Sequence, residues 1–180
     1  DRAAVIGSGA PGLRAVGVDN RGGAAALARE LLALGYEDIA VLAGPDELVT
    51  VRDRVDGFLS VLPDATVVNA EFTRDGGHRA MTELLASGAR PDCVFAVSDV
   101  MAIGAMAALR EAGIAPGEGI GVAGFDDIPL VGDVTPALTS VALPLADIGA
   151  RALELALADE APDGSAVVAE VHVRASTPRR

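Results

Sequence analysis

Several polar side chains in this chain stand just past short β-branched runs, where the carboxyl ends of strands would be. Thr50, Arg52 and Arg54 open a helical stretch after the Gly44-Pro45 break, and Phe72 lies just past the run that ends near Asn69. Ser98 and Asp99 follow Phe95-Ala96-Val97, and Asp126 follows Val122-Ala123-Gly124-Phe125. In open α/β sheets, ligands bind outside the carboxyl ends of the strands. A planar guanidinium offers paired donors, a carboxylate and hydroxyls offer acceptors, and a flat ring gives an apolar platform for the C–H face of a sugar ring. The set suits a small polyhydroxylated ligand, bound rather than transformed.

Chemistry that transforms a substrate lacks its parts. His78 and His172 are the only histidines, and no GxSxG elbow is present, so a nucleophile with a base in reach is not expected and the chain reads as a non-enzyme. Neither histidine has a second histidine or a cysteine at ligand spacing. Asp126-Asp127 reads more simply as a turn, with one structural carboxylate and one polar-contact carboxylate, than as a hard-cation site. No metal or cofactor is expected. Gly7-Ser8-Gly9-Ala10-Pro11-Gly12 matches the dinucleotide pattern GxGxxG, but Pro11 and the next strand at residue 15 leave no room for the helix that must open under a pyrophosphate. A receiver domain would need a lysine, and the chain has none.

Positioning those side chains requires strands that alternate with helices. The apolar pattern predicts strands at residues 15–18, 39–43, 66–69, 93–97, 121–124 and 138–141. Helices are predicted at 21–34, 50–62, 76–86, 100–112 and 145–158. This is an α/β fold with a parallel sheet. A final strand at 167–174 alternates valines and alanine with Glu170, His172 and Arg174, which suits a sheet edge. Asp19 stands where a helix cap would.

Composition sets the outer bounds. The chain has 180 residues, 51% hydrophobic and 22% charged, which excludes intrinsic disorder and fits one or two globular domains. No apolar run approaches a membrane span, and the first residues lack the pattern of a signal peptide. Its single cysteine, Cys93, permits no internal disulfide, in keeping with a reducing cytoplasm. A net charge of −12 repels a phosphate backbone, so these residues alone are not expected to hold DNA tightly.

Six segments, in order, carry a family resemblance: Val16-Gly17-Val18-Asp19-Asn20-Arg21-Gly22-Gly23; Leu34-Gly35-Tyr36-Glu37-Asp38-Ile39-Ala40; Arg54-Val55-Asp56-Gly57-Phe58; Phe95-Ala96-Val97-Ser98-Asp99; Val122-Ala123-Gly124-Phe125-Asp126-Asp127-Ile128-Pro129; and Leu138-Thr139-Ser140-Val141. Together with Val173-Arg174-Ala175-Ser176-Thr177-Pro178, they resemble the effector-binding core of the LacI/GalR transcriptional regulators. The resemblance implies a periplasmic-binding-protein-like core of two α/β subdomains joined by three crossovers, with a small effector in the cleft between them. It implies that Arg54 holds ligand hydroxyls or a carboxylate, Asp126 accepts from sugar hydroxyls, Ser98 sits at a polar cleft position and Phe72 supplies a stacking ring, with Thr50 and Arg52 on the same wall. Leu143 stands where many members carry glutamine.

The subdomains are expected at 1–45 with 144–163, the first of them incomplete, and at 46–143 with 164–180. The crossovers are expected near Gly44-Pro45, residues 126–136 and Pro144. The resemblance further implies a homodimer and operator DNA bound through a headpiece missing from this stretch, and no membrane. The rival reading is the sugar-binding receptor of an ABC transporter, which shares the fold.

Taken singly, the same residues have plainer roles. Arg52 and Arg54 could pair with Asp53 and Asp56 on a surface, Phe72 could be core, Ser98 or Asp99 could cap a helix, and Asp19-Asn20 reads as a cap.

Overall fold

In the computed structural model, residues 3–7, 14–158 and 167–180 are described. The glycine-rich stretch 8–12 and the turn-rich stretch 159–164 lie outside them. The larger body is a six-stranded sheet built from β3 (Ile39–Ala43), β4 (Thr66–Asn69), β5 (Cys93–Ala96), β6 (Gly121–Asp126), β7 (Thr139–Ala142) and β8 (Glu170–His172). Their order is β4-β3-β5-β6-β7-β8, parallel throughout except for the antiparallel pairing of β8 on β7 at the edge. The smaller body holds β1 (Ala4–Ile6) paired parallel with β2 (Arg14–Val16).

Helices α1 (Asn20–Ala33) and α2 (Val49–Leu59) pack on each other, as do α3 (Arg74–Ala86) and α4 (Asp99–Glu111). With this strand order, the right-handed crossovers that parallel strands favour put the two pairs on opposite faces of the sheet. That cover explains why β3 and β5 are apolar along their whole length, since a parallel strand buried on both faces has no wet side. The core runs between these layers, with Phe58 of α2 stacked on Phe95 of β5 at 4.8 Å. Tyr36 is fully buried, and its hydroxyl donates to the Pro178 carbonyl at 2.8 Å, which pins the end of the chain to the sheet. Helix α5 (Leu145–Leu157) packs on β1 and β2, and a small separate cluster of Val16, Ile148, Leu155 and Val167 holds the smaller body together.

The expected strands and helices all form, with shifts of a few residues at their ends, as fraying and terminal turns produce. The last strand is the one that shrinks, to residues 170–172. The expected boundary between subdomains at residue 45 is corrected. β3 lies between β4 and β5 in the large sheet, so the chain has already crossed by the start of α1. The crossovers run at 17–19, 143–144 and 167–169, and the first and third are tied by Val167 N–H donating to the Gly17 carbonyl and Asp19 N–H donating to the Val167 carbonyl. The Gly44-Pro45 break is a loop at the end of a central strand.

Close approach of α3 and α4 depends on glycine. A Cβ at Gly104 would lie 1.9 Å from the Arg74 carbonyl oxygen, so backbone meets backbone there. Gly149 in α5 faces open space. Helix propensity favours alanine over glycine by about 1 kcal/mol at either position. Gly149→Ala is therefore expected to raise stability by up to about 1 kcal/mol, and Gly104→Ala to lower it by roughly 1–3 kcal/mol despite the propensity gain. Urea denaturation of both variants checks this, and equal effects of one sign would contradict it.

Candidate functional site

The sheet order reverses between β3 and β5, since the chain runs outward from β3 to β4 before returning to β5. Such a reversal opens a crevice at the carboxyl ends of the two strands. A cavity of about 440 Å³ lies there, lined by Leu48 to Val51 from the loop before α2 and its first turn, by Arg54, by Phe72 after β4, by Asp126 at the end of β6, and by Ile6 and Gly7 of the smaller body. A second hollow of about 240 Å³ shares Ile6, Gly7, Thr50, Arg54 and Asp126 and extends past Asn20 to Leu143 and Ile148. The two form one cleft between the bodies.

Arg54 is the centre of its polar wall, although only 4% of the residue is exposed. Its Nη2 donates to Asp126 Oδ1 at 2.7 Å, its Nη1 to the Val97 carbonyl at 2.7 Å and its Nε to Asn20 Oδ1 at 2.9 Å. The guanidinium plane also lies 3.8 Å from the centre of the Phe125 ring, a cation–π contact. Burial pulls the Arg54 pKa down and Asp126 only partly offsets this; burial likewise pushes Asp126 up against the pull of Arg54. Both groups are thus partly desolvated ions that depend on each other.

Asp126 and Asp127 have positive φ, 107° and 53°. Asparagine and aspartate tolerate the second value well, but the first lies outside the ordinary left-handed region and stores about 1–3 kcal/mol of strain. This turn sends the two carboxylates opposite ways. Asp126 faces the cleft, and Asp127 takes Arg174 Nη1 at 2.6 Å and His172 Nδ1 at 2.7 Å on the edge-strand side. Burial alone pushes Asp127 up, but its hydrogen bonds with Arg174 and His172 hold it below the usual carboxylate value.

The sequence matches the Periplasmic binding protein-like domain over residues 28–177, most of the chain. A sugar-binding transcriptional regulator of the LacI family from Escherichia coli, solved in complex with phosphate, superimposes with a TM-score of 0.86 at 27% identity, covering 98% of this chain and 68% of that one. The chain belongs to this family, as a LacI-type core. Among curated relatives, the HTH-type transcriptional repressor PurR of Escherichia fergusonii is 35% identical over 136 residues, 72% of this chain and 40% of that protein. The HTH-type transcriptional regulator CelR of Thermobifida fusca is 34% identical over 168 residues, 88% of this chain and 49% of that protein. The LacI-type core thus spans about half or less of the length of these two relatives.

Within the LacI-type core, the cleft brings together four of the six residues singled out from sequence: Thr50, Arg54, Phe72 and Asp126. Arg52 is corrected. It is exposed and lines neither hollow, because two residues along a helix turn a side chain about 200° from Arg54. Ser98 is corrected as well. It is 2% exposed, and its hydroxyl caps α4 by accepting from Met101 N–H at 3.5 Å, so it faces the helix and not the cleft. Asp19 caps α1 as expected, accepting from Gly22 N–H at 2.8 Å.

Asn20, which the sequence offers only as part of a cap, is the buried partner of Arg54. The Val97 carbonyl carries no sequence signal at all. Among the described residues, no group of three His, Cys, Asp or Glu side chains is placed to hold a metal ion. No helix among them is long and apolar enough to cross a membrane.

Asp99 lies behind this wall, 1% exposed, and burial pushes its pKa up to about 7 despite hydrogen bonds from Ser140 and the Ile128 N–H. A carboxyl whose pKa is raised on folding binds its proton over a range in which the unfolded chain has released it. Its contribution to stability is full below about pH 4 and disappears as pH rises through about 7. Unfolding free energies across pH 4–8 should fall with pH more steeply for the native sequence than for Asp99→Asn. A difference between the two proteins that does not change with pH would contradict this.

Proposed function

We propose that this chain is the ligand-sensing part of a transcriptional repressor and holds a small, neutral, hydroxyl-rich molecule in the cleft between its two bodies. The observation that carries the reading is the Arg54–Asp126 pair on the cleft wall, a donor fork and an acceptor 2.7 Å apart. Three guanidinium N–H groups are engaged within the protein, and an arginine has five, so Nη1 and Nη2 each keep one for ligand oxygens while Asp126 Oδ2 accepts from a neighbouring hydroxyl. That pattern of alternating donor and acceptor suits vicinal hydroxyls. Among the described residues that line the cleft, Arg54 and Asp126 are the charged ones and their charges cancel, which disfavours a strongly charged ligand. Phe72, packed over the Gly44 loop, supplies the apolar face for a sugar ring, and Thr50 adds a hydroxyl.

The effector is not transformed. Binding favours a closed arrangement of the two bodies about the crossovers at 17–19, 143–144 and 167–169, with a coupling of about 1–3 kcal/mol. Asn20 joins the ligand arginine to the first crossover, and the Asp126 carbonyl accepts from Leu143 N–H at 3.5 Å beside the second. In the intact cytoplasmic protein, a homodimer, the change is read out as altered operator affinity through a DNA-binding segment. Similarity to regulators, and to a sugar-binding one in structure, supports this over a transport receptor.

The test uses the intact protein. Thermal shifts against a panel of neutral sugars and polyols should reveal a ligand that raises Tm by mass action. Arg54→Lys keeps the charge but loses the planar fork, and should weaken that ligand at least about tenfold in calorimetry; Asp126→Asn should do the same. A panel without any stabilising sugar, or variants with unchanged Kd, would overturn the reading.

A further inference from the structure

The acidic residue that opens α4 is not spent on its own helix. An aspartate in a first helical turn ordinarily faces water and favours the positive helix end. The carboxylate of Asp99 instead turns away from α4 and is buried against the turn that follows β6. Its Oδ2 accepts from Ile128 N–H at 2.9 Å, and its Oδ1 accepts from the Ser140 hydroxyl at 2.6 Å. The Ser140 oxygen in turn accepts from Asp127 N–H at 3.1 Å. The two backbone N–H groups that follow the strained Asp126, those of Asp127 and Ile128, are therefore tied to this one carboxylate, one through Ser140 of β7 and one directly.

The strand that carries Asp126 is shaped around the same group. A Cβ at Gly124 would stand 2.3 Å from Asp99 Oδ1, so β6 has glycine where the carboxylate lies. A backbone held at φ 107° keeps that angle only where its surroundings fix it. Arg54 pulls on the Asp126 side chain, and the two tethered amides fix the backbone beneath it.

The geometry points to Asp99 as a positioning residue for the ligand site: through Ile128 and Ser140 it holds the turn that aims Asp126 into the cleft. This rests on the ligand reading above, but its structural part can be judged without a ligand. Asp99 touches no ligand in this scheme, and its effect on affinity passes wholly through Asp126.

Amide hydrogen exchange and calorimetry on the intact protein test it, with D-ribose, D-glucose and cellobiose as probes and Asp99→Ala, Asp99→Asn and Ser140→Ala as variants. In Asp99→Ala, exchange at Asp127 and Ile128 should quicken about tenfold or more while β3 stays protected, and affinity for whichever probe binds should fall by about tenfold or more. Asp99→Asn keeps an acceptor for Ile128 and should recover most of both effects. If Asp99→Ala does not fold, Ser140→Ala decides: exchange should quicken at Asp127 more than at Ile128. Unchanged exchange at 127 and 128, unchanged affinity in Asp99→Ala, or no recovery in Asp99→Asn would overturn the assignment. Failure of all three probes to bind the native protein would count against the sugar reading, and the exchange result would still decide whether Asp99 holds the turn.

Discussion

A guanidinium at 4% exposure and a carboxylate at the tip of a strand are held 2.7 Å apart, and the cleft side of this molecule is organised around keeping them there. Removing two ions from water costs several kcal/mol each, and their mutual attraction repays that only when geometry is good and the remaining donors are satisfied. Here the satisfaction is extensive. Asn20 takes Nε, the end of β5 offers the Val97 carbonyl, and the Phe125 ring covers one face of the guanidinium. Each partner comes from a different segment, so the pair senses the relative placement of α1, α2, β5 and β6.

The same pair explains why the junction between the two bodies is built as it is. α1 begins directly after the first crossover, and its first residue reaches Arg54. The turn after β6 supplies the cleft carboxylate on one side and, through Asp127, ties the edge strand on the other by way of Arg174 and His172. That edge strand continues from the third crossover, where Val167 bridges to Val18. Residues of the cleft wall and residues that fix the crossovers are therefore separated by only one or two positions. A bistable junction needs such proximity if ligand binding is to bias it.

Burial also accounts for the unusual ionisation behind the wall. Asp99 is pushed to about 7 because its charge is enclosed between α4, β6 and β7 and is repelled by Asp126 and Asp127, and two hydrogen bonds do not compensate for the lost water. Asp127, in the turn that Asp99 meets, lies below the usual value because its hydrogen bonds with Arg174 and His172 outweigh the effect of burial. Asp126 and Asp127, adjacent in one turn, are likewise shifted in opposite directions through their surroundings alone.

The sequence by itself determined the elements and their kind. Short, wholly apolar runs at 39–43 and 93–96 suit strands covered on both faces, and helical spacing with Asp19 and Ser98 as caps sets where α1 and α4 start. These are local properties, decided within a few residues by sterics and hydrogen bonding. Strand ends could also be named from sequence, and with them Thr50, Arg54, Phe72 and Asp126.

Only the tertiary structure decided which of the polar residues near those ends face the same space. Arg52 and Arg54 look equivalent in sequence, but helix geometry sends one to solvent and one into the cleft. Ser98 is consumed by its own helix, and Asn20 turns from a presumed cap into the partner of an arginine 34 positions away. The β3 strand joined the larger body and not the smaller one, because strand order is fixed by pairing between distant segments. Such choices depend on contacts across tens of residues and on which groups lose water together, and no local pattern encodes them.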